Sequence, residues 1–155
     1  MKKITFILIL FFSFITNINA ETKRIISGNK DAKITIIAYE SLTCSHCANF
    51  HKDVYPLLKK DYLDTGLAKI EFRHFPLDIA ALNAAKVAQC NIKDSLKILE
   101  SLYSNQQSWV KGNTVDEVNK NLKKFIEKEQ FNINFEKCIN NKNIEDFILN
   151  DRIEG

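Results

Sequence analysis

The sequence predicts an α/β fold, and three observations carry that reading. Residues 34–39 are a run apolar but for Thr35, which fits a strand buried on both faces, as in a parallel sheet. Ala68, Ile70 and Phe72 alternate with Lys69, Glu71 and Arg73, the period of a strand with one face in a core. A helical stretch separates the two, and from Asp78 onward the apolar spacing stays helical. Strand, helix and strand make a βαβ unit. A helical segment over about 78–155 follows it.

Residues 1–20 precede this domain. Lys2 and Lys3 give a short positive start, residues 4–15 are almost purely apolar, and Asn17, Ile18, Asn19 and Ala20 end on a small residue suited to cleavage. That order of parts reads as a secretory signal, because the apolar run falls short of the roughly 20 residues a spanning helix needs; an uncleaved N-terminal anchor is the alternative reading. The domain is then expected over 21–155, outside the cytosol. With 45% hydrophobic and 26% charged residues the chain is globular rather than disordered, and 155 residues hold one ordinary domain. Removing the signal takes two of the 22 basic residues, leaving 20 against 19 acidic. So balanced a charge gives no reason to expect nucleic acid as a partner.

After the first strand, Ser41, Leu42 and Thr43 lead into Cys44 and a helical stretch with Phe50, Val54, Leu57 and Leu58. Pro56 is expected to kink or break that helix. Thr65-Gly66 marks a turn before the second strand. Asp78 can cap a helix rich in Ala80, Ala81, Ala84, Ala85 and Ala88 that ends near Cys90. Residues 94–103 form another helix. Thr114 and Glu117 have the spacing of a capping box, followed by Val118, Leu122, Phe125 and Ile126 on one face. Segments 135–139 and 144–153 are also helical, and Trp109 is expected to anchor the core of this region.

The chemistry lies in Cys44-Ser45-His46-Cys47. On a first helical turn, residues i and i+3 share a face, so two sulfurs there can bond. The first sulfur also meets unpaired backbone N–H groups and the positive end of the helix dipole, which favour a thiolate. Cys44 is therefore the expected nucleophile and Cys47 the resolving thiol. His46, between them, can add positive charge and favour the reduced form, which makes the disulfide oxidising. A zinc half-site or an inert staple are the competing readings. No second Cys-x-x-Cys or His-x-x-x-His completes a zinc set, and so short a loop stabilises little. His51 could be a third metal ligand, although a partly exposed helix histidine is the plainer expectation. His74 fits a hydrogen-bonded packing histidine at a strand end.

Four cysteines allow three pairings, which spacing alone does not decide. A Cys90–Cys138 bridge would be structural, worth roughly 4 kcal/mol by loop closure. Otherwise the two are buried thiols acting as small hydrophobes.

Residues 39–51 (YESLTCSHCANFH), then 72–78 (FRHFPLD), with the lead-in 28–32 and the later 84–90 (AAKVAQC), resemble the DsbA-like branch of the thioredoxin superfamily. The resemblance implies a thioredoxin-like fold with an α-helical insertion. It further implies a periplasmic thiol–disulfide oxidoreductase that introduces or exchanges disulfides in exported proteins with free thiols, without an organic cofactor or a metal. A membrane redox partner would reoxidise the pair. Three departures stand out. Ser45 replaces the family's usual proline. Ala38 stands where many relatives place a buried acid, with Glu40 two residues later on the same strand face. The family's later cis-proline strand, hairpin and last helix have no counterpart before Gly155. Two further readings follow: an inactive truncated remnant, or an exported metal-binding protein using Cys44 and Cys47.

Overall fold

The computed structural model describes residues 22–155, and the expected signal at 1–20 lies outside them. Three strands form a sheet in the order β1-β3-β2: β1 (Ile25–Gly28), β2 (Ile34–Glu40) and β3 (Ala68–His74). The parallel pairing of β2 with β3 sets Ile36 beside Ile70, Ala38 beside Phe72 and Glu40 beside His74. Directly paired residues share a sheet face, so Glu40 points to the same side as Phe72. β1, which hydrophobic alternation does not reveal, pairs antiparallel with β3 from Ile25↔Phe72 to Gly28↔Lys69. Gly28 ends it at φ +98°, where a Cβ would come within 2.9 Å of the Ala68 carbonyl, so only glycine fits without a shift.

β3 is the central strand and alternates as its sequence implies, with Ala68, Ile70, Phe72 and His74 buried. The run 34–39 corrects the expectation of burial on both faces. β2 is an edge strand among the described residues, and Ile34 and Ile37 are 58% and 46% exposed. Apolarity records what a strand could bury, not which neighbour it has.

The crossover from β2 to β3 is a continuous helical run of α1 (Ser45–Asn49), a π turn (Phe50–Val54), α2 (Tyr55–Leu58) and a second π turn (Lys59–Leu63). Pro56 does not break it. Tyr55 donates its N–H to Phe50, five residues back, and Pro56 is the second residue of α2, in its first turn, where a missing N–H is tolerated.

β3 is followed by α3 (Ile79–Gln89), α4 (Ser95–Ser104), α5 (Gln106–Trp109), α6 (Val115–Lys128), α7 (Phe135–Ile139) and α8 (Lys142–Glu154). Asp78 caps α3 through Ala81 N–H, and Thr114 caps α6 through Glu117 N–H. Val118, Leu122, Phe125 and Ile126 bury one face of α6 around Trp109, whose Nε1 donates to the Leu102 carbonyl. The core runs without interruption from Ile70, Phe72 and Tyr55 through Leu102 and Trp109 to Leu122. α8 packs on β3, where Arg24 pairs with the buried Asp151 and Arg73 bonds Glu71 and Glu154. Cys90, at the end of α3, is disulfide-bonded to Cys138 in α7, with Cα atoms 5.6 Å apart.

Candidate active site

Cys44 is the N-cap of α1, in extended conformation (φ −77°, ψ 119°), and Cys47 lies one turn in. Both are thiols, half-buried. Burial opposes ionisation of Cys44, but the Cys47 and His46 backbone N–H groups and the Cys47 thiol all donate to its sulfur. Together they hold its pKa below the ordinary thiol value. For Cys47 burial dominates. Its hydrogen bond to Cys44 and the charge of Glu40 add to it, and its pKa is pushed up to about 11 despite a donor from the Ser41 backbone. The two sulfurs are thus unlike: an acidic, accessible one and a protected, protonated one.

His46 reaches Cys44 through its backbone N–H, while its side chain is exposed. The contributions of the helix terminus to the sulfur are the backbone N–H groups of His46 and Cys47.

His51 corrects another expectation. It is buried, not partly exposed: its Nε2 lies 2.7 Å from Glu40 Oε2, and its ring stacks on Tyr103 at 4.0 Å between centroids. Phe72 and Tyr55 complete the cage. Burial with a carboxylate partner satisfies one ring nitrogen and leaves Nδ1 without a partner. The Tyr103 hydroxyl faces Glu40 without a well-formed bond. Burial and the Glu40 charge hold its pKa well above the usual phenol value. Glu40, His51 and Tyr103 form a buried polar unit behind Cys47, and Glu40 raises the pKa of both cysteines. Glu40→Gln is accordingly expected to lower the pKa of Cys47 and increase its thiolate fraction by about two- to tenfold at fixed pH. Thiolate ultraviolet absorbance across a pH titration reads this directly; an unchanged Cys47 midpoint would remove Glu40 from the site.

The metal reading finds no support in this arrangement. His51 is committed to Glu40, and among the described residues no group of three or more His, Cys, Asp or Glu side chains is placed to hold an ion. His74 is buried, its Nε2 3.3 Å from Gln89 Nε2. Burial and the nearby Arg24 charge push its pKa down to about 4, so it packs as a neutral ring.

Two residues had no functional signal in the sequence reading. Tyr103 follows the apolar spacing of α4 and reads as core. Gln106 is a buried glutamine whose side-chain amide bonds the carbonyls of Leu42 and Cys44; a hint lies in its place three residues before Trp109, on the same helical face.

A family model described as Thioredoxin matches residues 20–154. A solved structure of alpha-DsbA1 from Wolbachia pipientis is 34% identical with a TM-score of 0.74, covering 84% of this chain and 66% of that one. A candidate protein-disulfide oxidoreductase of Rickettsia bellii is 33% identical over 93 residues, 59% of this chain and 36% of the relative. Disulfide bond formation protein D of Bacillus subtilis is 26% identical over 127 residues, 71% of this chain and 57% of that protein. The matches thus span between about a third and two thirds of these relatives' own length.

Proposed function

This chain belongs to the DsbA-like branch of the thioredoxin superfamily, with its thioredoxin-like α/β fold, and on that premise we propose that it is a thiol–disulfide oxidoreductase acting on exported proteins. The observation that carries the proposal is the asymmetry of the pair: Cys44 made acidic by two backbone N–H groups and a thiol, Cys47 held protonated. In the oxidised protein, a substrate thiolate attacks Cys44 Sγ. The Cys44–Cys47 bond breaks, its electron pair goes to Cys47, and Cys47 takes up a proton. A second substrate thiolate then attacks the substrate sulfur of the mixed disulfide and releases Cys44 as a thiolate. Two electrons have moved to the protein, and the substrate holds a new disulfide. Stabilisation of the released Cys44 thiolate is the driving force, which favours net oxidation.

The secretory signal read at residues 1–20 supports a periplasmic location, where free thiols of newly exported chains are the substrates. Reoxidation requires an electron acceptor, and a membrane redox partner is the one the family reading supplies. Among the described residues no helix is long and apolar enough to cross a membrane.

The test is direct. Oxidised protein mixed with an equimolar reduced peptide carrying two cysteines is expected to convert that peptide to its disulfide while two protein thiols appear. A peptide left reduced, or a protein able only to reduce disulfides, would overturn the oxidase reading.

A further inference from the structure

Gln106 is 4% exposed, on a helix of only four residues, yet its side chain does not bond its own segment. Its Nε2 donates to the Leu42 carbonyl at 2.9 Å and to the Cys44 carbonyl at 3.0 Å. A side-chain amide nitrogen carries two hydrogens, so both are used on the carbonyls that flank Thr43. The Cys44 carbonyl already accepts the first helical bond of α1, from Ala48 N–H at 3.1 Å; Gln106 occupies its remaining acceptor site. The other end of this clamp is fixed as well. Trp109 shares the short helix, is fully buried, and is tied by Nε1 to Leu102. The redox loop is thereby hydrogen-bonded to the core of the helical segment some sixty residues later in the chain.

We propose that Gln106 is a positioning residue for the redox reaction: its amide holds the Leu42 and Cys44 carbonyls against α5 and so fixes the turn that aims the His46 and Cys47 N–H groups at Cys44 Sγ. The inference rests on the redox reading of Cys44 and Cys47. The physical reason is the direction of the dipoles. A carbonyl released from its buried donor must find another partner or turn to water, and either movement rotates the peptide planes beside the sulfur. Donation by Gln106 also offsets the negative ends of two carbonyls next to a developing thiolate. The helical segment then sets the reactivity of the sulfur, in addition to covering the sheet.

The decisive experiment compares Gln106→Met, similar in length but without a donor, with Gln107→Met at the exposed neighbouring position. The Cys44 thiol is titrated by ultraviolet absorbance and by alkylation rate. Gln106→Met is expected to lower the acid dissociation constant of Cys44 about tenfold, with alkylation below the midpoint slowed to match, while Gln107→Met changes neither. A Cys44 titration unchanged in Gln106→Met overturns the proposal, even if the thermal midpoint falls, because filling space would move stability alone. If Gln106→Met does not fold, the side-chain amide of Gln106 in the unmodified protein is followed by NMR. Its two hydrogens should exchange slowly and shift with the Cys44 titration, and fast exchange without such a shift is the contrary result. Loss of the oxidoreductase reading would look different: Cys44 and Cys47 would fail to form a disulfide in glutathione buffers in the unmodified protein and the variants alike.

Discussion

Cys44→Ser is expected to reduce thiol–disulfide exchange to the uncatalysed rate, while Cys47→Ser arrests it at the mixed disulfide. Both outcomes follow from the difference between the two sulfurs. An alcohol in place of Cys44 has no accessible ionised form at neutral pH, so the backbone donors of His46 and Cys47 have no anion to stabilise. Cys47→Ser leaves Cys44 and those donors in place and removes the second sulfur, so nothing within the protein displaces a substrate sulfur bound to Cys44. With a peptide that already holds a disulfide, Cys44 thiolate attacks one of its sulfurs and the other leaves as thiolate; a stable adduct, visible as a mass increase that a reductant reverses, is the expected signature. Equal loss of adduct formation in both variants would mean that the roles of the sulfurs have been misassigned.

The second large effect concerns stability. Replacing Cys90 and Cys138 together with Ala is expected to cost about 4 kcal/mol, because the bridge closes a loop of 48 residues. For a domain of this size that corresponds to a fall in thermal midpoint of roughly 10–20 °C. Cys138 is fully buried between α7 and the core, so relief of the cross-link also leaves a methyl-sized gap. A circular-dichroism melt of the double variant beside the intact protein measures this. A midpoint within a few degrees of the intact protein would show that the segment from α3 to α8 is held by packing alone.

The placement of Cys44 and Cys47 on one helical turn was readable in the sequence because it is local. One turn of helix contains both sulfurs and the N–H groups that act on them, so spacing suffices. The same holds for the caps at Asp78 and Thr114 and for the alternation of β3, each decided within a few residues. What escaped depends on distant partners. The run 34–39 looks alike whether a strand has one neighbour or two, and here β2 has one among the described residues. His51 looks like a surface helix residue until Glu40 and Tyr103 close over it from two other elements. Gln106 carries no mark of its two carbonyl partners. The π turns escaped for a different reason: they depend on hydrogen-bond register, which residue type barely influences, and they let Pro56 stand in a helical run it was expected to kink or break.

Thiol state by mass spectrometry, with alkylation before and after reduction in graded glutathione buffers, tests the central claim most directly. The account expects Cys44 and Cys47 to form a disulfide that opens under mildly reducing conditions, with Cys44 alkylated first, while Cys90 and Cys138 stay bonded until reduction is strong. Cys44 and Cys47 that remain unreactive, or that scramble with Cys90 and Cys138, would contradict it.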